Sequence, residues 1–413
     1  MTNKPALKPL IPFPELVAIT AAVMALNALA IDMMLPALGL IGNQLGAVHD
    51  NDRQLIIVVY VLSNGVAQLF FGPIVDRFGR KNVLMWSLAG YIVGSLLSVI
   101  ASSFVLLLAA RAFQGVATAA TRVSAIAIVR DQCSGRRMAE VMSLAITIFM
   151  AAPILAPGIG QLILFVAPWR GIFAALLLYG VILAAWAYWR LPETMAPEDR
   201  KMLRPGRIAA SYWEFLRTKI SIGYTLASAL CFGALFGYIT ASEQVFLETF
   251  ELGDKFPLAF GAIAGGLGVS TLLNAKIVSR FGMRRLTHTA ILAFTLFNLI
   301  HLAIAATIGE NFVFFMTFMM ASFFMLGLIG PNATALAMGP MGHNAGAGAA
   351  ANGFAGTTIA GFLGGVIGRF YDGSTIPLIL GFCILGAISL LIVLWTENGK
   401  LFGVGDDNAE SES

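Results

Sequence analysis

The chain has 413 residues, 58% of them apolar and only 12% charged, with a net charge of +4. A soluble domain carries about 25% charged residues, so this composition excludes a water-facing surface around a core of this size and fits lipid as the outer solvent. The small net charge gives no footprint for nucleic acid. Cys133, Cys231 and Cys383 and the four histidines are scattered, without disulfide or metal-ligand spacing, so no metal and no other cofactor is expected.

A spanning helix needs about 20 mostly apolar residues. The first qualifying run, Leu16–Ala37, follows Lys4 and Lys8 and imitates a signal peptide. It is long enough to span and eleven similar runs follow, so it is read as a retained membrane helix. Next come Leu55–Val75, Val83–Ala101, Val105–Val129, Val141–Val166 and Gly171–Trp189. The stretch from Arg190 to Lys219 is polar and basic, with room for a short surface helix around Ser211–Phe215. Six further runs follow: Ile220–Ser242, Leu258–Val278, Leu286–Ile308, Phe312–Met338, Ala345–Ile367 and Ile376–Trp395. The expected architecture is an all-α membrane protein of twelve transmembrane helices. It divides into a six-helix bundle (1–190), a linker (191–219), a second bundle (220–398) and an acidic tail (399–413).

Charge placement supports this count. With both termini cytoplasmic, most of the 26 Lys and Arg residues fall in inner segments, and only Arg53, Arg170, Lys255 and Arg369 fall in outer loops. That is the bias expected of a multi-pass protein of a bacterial inner membrane.

The loop after the second run reads Gly72-Pro-Ile-Val-Asp76-Arg77-Phe78-Gly79-Arg80-Lys81, and its Arg-Phe-Gly core recurs at Arg280-Phe281-Gly282 after the eighth. The offset of 203 residues is close to half the chain. A duplicated half is a transporter architecture, with a cavity expected between two rocking bundles. Gly72 is expected to let two helices approach, Gly79 to permit a tight turn, and Asp76 and Arg77 to place opposite charges at the inner rim. The Gly72-x-x-x-Asp76-Arg77-x-Gly79-Arg80-Lys81 pattern resembles the signature loop of the major facilitator superfamily.

Charged residues inside spans are costly and usually mark working sites. Asp32 lies near the outer end of the first run and Arg111 near the outer start of the fourth. At about 1.5 Å per residue they sit at similar depth, so an ion pair is geometrically allowed. Such a pair keeps a carboxylate ionised, whereas an apolar setting favours its neutral form. A carboxyl that alternates between the two can load and release a proton. On the fourth helix, Gln114, Gly115, Thr118 and Arg122 fall within roughly 60° of Arg111 at about 100° per residue, giving one polar face. Arg122 also reads as a side chain that reaches the inner interface. At the same offset Asp32 and Arg111 map to Leu235 and Phe314, so the second half is expected to supply apolar wall and no interior charged pair. Glu243, at the outer end of the seventh run, reads as interfacial.

The fifth run carries Pro153, Pro157 and Gly160 in Ala152-Pro153-Ile-Leu-Ala156-Pro157-Gly158-Ile-Gly160-Gln161. This stretch resembles the antiporter motif of drug-exporting members, with Ala156 and Gln161 where glycines are usual. Asp32-Met-Met-Leu-Pro36-Ala-Leu resembles the helix-1 signature of the Bcr/CflA drug-resistance exporters, with Met34 in place of tyrosine. Gly65-x-x-Gln68, Arg111-x-x-Gln114-Gly115, Trp169-Arg170 and Gly330-Pro331-Asn332-Ala333 are similar to that family too. The resemblance implies drug/proton antiport, with Asp32 and Arg111 as coupling residues. The expected partners are a small-molecule substrate, protons and the bilayer, and the protein is expected to act as a monomer. Tyr60, Gln114, Thr118, Arg122, Tyr238, Asn332 and Asn352 are the candidate cavity residues. Uptake or exchange of a nutrient is the alternative reading. An enzyme is not expected, because Gly346-x-Gly348 and Gly364-Gly365 lie within apolar helices and no catalytic cluster is visible.

Overall fold

Inside hydrocarbon every backbone N–H and C=O must be paired within the chain, which restricts long apolar runs to helices. The computed structural model describes residues 11–133, 135–195, 198, 200 and 205–402. Lys4, Lys8 and the acidic stretch from Asp406 to Ser413 lie outside the described residues. Among the described residues twelve helices are long and apolar enough to cross a membrane. They are α1 (Phe13–Leu45), α2 (Asp50–Phe78), α3 (Arg80–Ile100), α4 (Phe104–Gln132), α5 (Glu140–Val166) and α6 (Arg170–Arg190), followed by α7 (Lys219–Thr249), α8 (Gly253–Phe281), α9 (Met283–Thr307), α10 (Phe312–Gly342), α11 (Gly346–Arg369) and α12 (Ile376–Thr396). A separate connecting helix runs from Pro205 to Arg217.

Local sequence accounts for several ends. The Ser103 side chain accepts the Leu106 N–H at the start of α4, and Asn311 accepts the Phe314 N–H at the start of α10. Each is a side-chain cap on the fourth helix of its half, the position where short polar residues are preferred. The α1 helix runs eight residues past the expected end. Its first α-helical stretch stops at Asp32, Leu35–Ala37 form a 3-10 turn and Leu38–Leu45 resume the helix. Pro36 has no N–H to offer the carbonyl one turn back, so it breaks the ladder without ending the span.

The chain divides into two compact units, Met1–Pro205 and Gly206–Ser413. In the first, α4 packs on α2 and α3, α3 on α6, and α1 on α5, α4 and α6. In the second, α10 packs on α8 and α9, α9 on α12, and α7 on α11, α10 and α12. Every pairing in one unit has its counterpart six helices along in the other, so the short sequence repeat reports a repeat of the packing itself.

Two glycines show the repeat at atomic scale. A β-carbon at Gly160 of α5 would collide with the Met33 carbonyl of α1. A β-carbon at Gly364 of α11 would lie 2.6 Å from the Phe236 carbonyl carbon of α7. Only a hydrogen fits at either crossing. Gly72 is different: a β-carbon there would meet nothing within 4 Å, so the expected close approach at Gly72 is absent.

Gly364→Ala is therefore expected to lower stability by about 1–3 kcal/mol, the usual range for overpacking. Gly72→Ala is expected to be neutral or to stabilise by up to about 1 kcal/mol, since glycine is the poorer helix former. Thermal unfolding of the two purified variants in detergent checks both signs.

Candidate functional site

The break in α1 places Asp32 inside the first unit. Its residue is 3% exposed, and its Oδ1 has no hydrogen-bond partner. The backbone beside it faces α5, because Gly160 touches the Met33 carbonyl and the Pro36 ring. The α5 helix continues as a single helix through Pro153 and Pro157. Its glycine thus seats it directly against the turn that carries the buried carboxyl.

Arg111 of α4 is fully buried. The ion pair allowed by the sequence does not form. Instead the guanidinium donates to the Ile56 carbonyl (3.2 Å), to the Ala30 carbonyl (2.9 Å) and to Gln114 Oε1. Its carbon also stands 4.3 Å from the centre of the Tyr60 ring. The reason is competition: two backbone oxygens, an amide and an aromatic face occupy the planar fork before Asp32 can. Gln114 in turn donates to Ser95 Oγ of α3 at 2.8 Å. One side chain therefore ties α1, α2 and α4 together and reaches α3 through Gln114.

A second layer of polar contacts continues from Tyr60. Its hydroxyl donates to Asn27 Oδ1 (2.6 Å) and lies 3.0 Å from Thr118 Oγ1. Asn64 donates to the Gly115 carbonyl (3.1 Å) and to Thr118 Oγ1 (3.0 Å), and Gln68 donates to Asn64 Oδ1 (2.9 Å). Asn27 also donates to Thr121 Oγ1 at 3.3 Å. The structure thus brings together Tyr60, Arg111, Gln114 and Thr118, all within 1% of full burial. Asn27 and Asn64 are additions that sequence reasoning missed. Their signal was that each is an amide within an otherwise apolar span. Arg122, one turn beyond Thr118, is exposed, away from the buried part of this network.

The candidate positions of the second unit are dispersed. Tyr238 is fully buried in an aromatic cluster, with ring centres of Phe260, Phe323 and Phe246 at 5.2, 4.8 and 6.2 Å. Asn332 of α10 and Asn274 of α8 exchange amide hydrogen bonds, the shorter at 2.7 Å. Asn352 of α11, half-buried, accepts from Thr225 of α7 at 2.9 Å. Glu243, near the end of α7, is buried, 4% exposed. At the ends of its spans the half also holds polar pairs: His301 Nε2 lies 2.7 Å from Glu310 Oε2, and Arg284, partly exposed, pairs with Glu397 at 3.3 Å. Those pairs join residues from different helices and loops, so no span read singly could reveal them.

The loop between α2 and α3 turns at Gly79, with φ +97° and ψ 154°. Its repeat, Gly282, has φ +78° and ψ 149°. Few L-residues adopt that region, which explains glycine at both positions. Asp76 pairs with Arg80, and Arg80 also meets Asp131 at 3.3 Å. Arg77 is exposed. The carboxylate of Glu193, just past α6, accepts the backbone N–H groups of Arg80 (2.9 Å) and Asn82 (3.4 Å). An anion on the first free N–H groups of a helix is favoured by both charge and hydrogen bonding. Lys81 Nζ donates to the Tyr188 carbonyl at 2.8 Å. Glu397 stands at the corresponding place after α12, where it pairs with Arg284 and accepts from the Tyr224 hydroxyl at 2.6 Å. In both units a glutamate after the sixth helix meets the start of the third, through backbone N–H groups in the first unit and through the Arg284 side chain in the second.

A model of the Major Facilitator Superfamily matches residues 20–365. A bicyclomycin resistance protein homolog of Haemophilus influenzae is 31% identical over 265 residues, covering 63% of this chain and 66% of that protein. The multidrug resistance protein MdtL of Escherichia fergusonii is 27% identical over 388 residues, covering 92% of this chain and 95% of that protein. In fold, the chain is similar to the xylose transporter XylE from E. coli. That comparison has a TM-score of 0.72 at 11% identity and covers 94% of this chain and 99% of that one.

The hub geometry makes a specific prediction. Arg111→Lys keeps the charge but cannot serve two carbonyls and an amide from one planar fork. It is expected to cost at least about 2 kcal/mol, since buried acceptors are left unmatched. Thermal unfolding of the purified variant measures this. Stability equal to that of the original protein would contradict the hub role.

Proposed function

The chain belongs to the major facilitator superfamily of membrane transporters, and on that premise we propose that it exports small amphipathic drugs or metabolites in exchange for protons. The observation that carries this reading is Asp32: a buried carboxyl at a helix break inside a span, with one oxygen unpartnered. Such a group is stable as the neutral acid, and as an anion it needs water or a cation. Arg111 is the cation at hand, held to the Ala30 carbonyl two residues away along α1.

In the proposed cycle, Asp32 takes a proton while the site is open to the outside. Closing and reopening toward the cytoplasm lets substrate enter as the proton leaves, and Arg111 then shifts from Ala30 toward the carboxylate. Gln114, Tyr60 and Thr118 relay that shift to the polar layer of Asn27 and Asn64. Gly160, with Pro153 and Pro157 on the same helix, gives α5 a close crossing beside the α1 break, where a change in α1 would be felt. The 72–81 loop, clamped by Glu193, serves as the inner gate.

Export is favoured over uptake by the names of two relatives, a bicyclomycin resistance homolog and a multidrug resistance protein. Asn332 and Asn352 are proposed to face substrate when their present partners part, and Arg122 is proposed to offer a cation at the cavity rim. The cytoplasmic placement of both termini, the inner membrane as location and the monomeric state complete the proposal. The first two rest on the distribution of basic residues among the loops.

The test is a susceptibility panel in a host lacking its own efflux systems. Expression is expected to raise the inhibitory concentration of at least one amphipathic compound. Asp32→Asn is expected to return it to background at unchanged protein level. Full resistance in the Asp32→Asn strain would rule out Asp32 as the proton carrier.

A further inference from the structure

The helix from Pro205 to Arg217 carries an outward apolar face that the transport reading does not use. Trp213 is 57% exposed and Leu216 54%, whereas Phe215 is 1% exposed. At about 100° per residue, Leu216, Ala209, Trp213 and Arg217 share one sector roughly 100° wide, and all four are exposed. Tyr212 and Glu214 flank that sector, and Ser211 lies opposite it beside Phe215; all three polar residues are half-buried. Phe215 therefore pins one side of the helix to the protein, while a tryptophan and a leucine point away from it.

What covers that face follows from the join to α7. Only Thr218 separates the connecting helix from Lys219, the first residue of the span. The corner has no slack: the Thr218 N–H bonds to the Glu214 carbonyl (3.0 Å), its hydroxyl to the same oxygen (2.8 Å), and its own carbonyl accepts from Ile222 (3.0 Å). The helix end is thus fixed at the level where α7 enters the bilayer. The cations at this corner are laid on aromatic rings. The Arg217 guanidinium is 4.7 Å from the Trp213 ring centre, and Lys219 Nζ is 5.1 Å from that of Trp395, itself 55% exposed. Lys219 also donates to Asn398 Oδ1. Tryptophan is enriched at the headgroup level of membranes. A helix with an apolar face edged by cations binds there through buried apolar area and attraction to anionic lipid. A second copy of the chain would bring the same cations to the same face.

We propose that the Pro205–Arg217 helix is an interfacial anchor, with Trp213 and Leu216 in the headgroup–acyl boundary and Arg217 and Lys219 against the phosphates of anionic phospholipids. This requires the twelve spans but not proton coupling or export.

Nitroxide labels placed by Ala209→Cys, Leu216→Cys and Glu214→Cys test it in the full-length protein, whose three native cysteines are buried. The protein is reconstituted in phosphatidylcholine vesicles with and without phosphatidylglycerol. Labels at 209 and 216 are expected to collide several-fold more with oxygen than with a water-soluble nickel chelate, and the label at 214 is expected to do the reverse. Phosphatidylglycerol is expected to sharpen the contrast, and Arg217→Gln combined with Lys219→Gln to abolish that gain. Preference for the chelate at 209 and 216 would place the face in water and overturn the anchor. Spin–spin broadening at 216 would replace lipid with a second copy. Equal contrast in both lipid mixtures would remove the anionic headgroup from the proposal.

Discussion

A guanidinium with no exposure must find its hydrogen-bond acceptors inside the protein, and those acceptors then dictate where whole helices stand. Arg111 meets this demand with the carbonyls of Ile56 and Ala30, the amide of Gln114 and the face of Tyr60. Three helices are held at fixed height by one side chain, with a fourth joined through Ser95. The Ala30 carbonyl belongs to the turn just before α1 breaks, so the same contact positions Asp32. The carboxyl is buried by the packing that the arginine organises, but it does not share in the hydrogen bonds. A buried network is rigid where it is satisfied, and Asp32 Oδ1 is where it is not. That asymmetry gives the proposed proton site its physical basis.

The two units repeat this framework without its chemistry. Gly160 against Met33 and Gly364 against Phe236 are the same crossing made twice. Gly79 and Gly282 are the same turn, and a glutamate follows the sixth helix of each unit, Glu193 on backbone N–H groups and Glu397 on the Arg284 side chain. At the position of Asp32 the second unit has Leu235, half-buried, and around Tyr238 it has a cluster of phenylalanines. The polar groups of that half sit elsewhere, as Asn274 with Asn332 and His301 with Glu310. Two halves that agree in packing and differ in polarity fit the proposal that proton handling belongs to the first.

The spans, the duplicated loop and the buried charges were legible in the sequence because each depends on local properties: run length, a turn that needs glycine, an ion in an apolar segment. What could not be read were choices among partners. Arg111 had five N–H groups and several acceptors in reach, and only the close approach of α1 and α2 selects Ala30 and Ile56 over Asp32. Asn27 and Asn64 were visible as amides but gained meaning only beside Tyr60 and Thr118. Gly72 and Gly79 look alike in a motif, yet one lies in open space and the other adopts a backbone conformation closed to most residues. Glu193 lies more than a hundred residues beyond the loop it caps. The end of α1 is hidden from the sequence because Pro36 interrupts hydrogen bonding without redirecting the chain.

In the proposed exchange one buried carboxyl links substrate movement to proton movement. Proteoliposomes holding a pH-sensitive dye, with an inward gradient of a compound to which the protein confers resistance, read that link. Exchange through Asp32 predicts that substrate entry drives protons out and the lumen turns alkaline, and that Asp32→Asn abolishes the change. Substrate flux with no pH change, or the same pH change in the Asp32→Asn protein, would contradict exchange through Asp32.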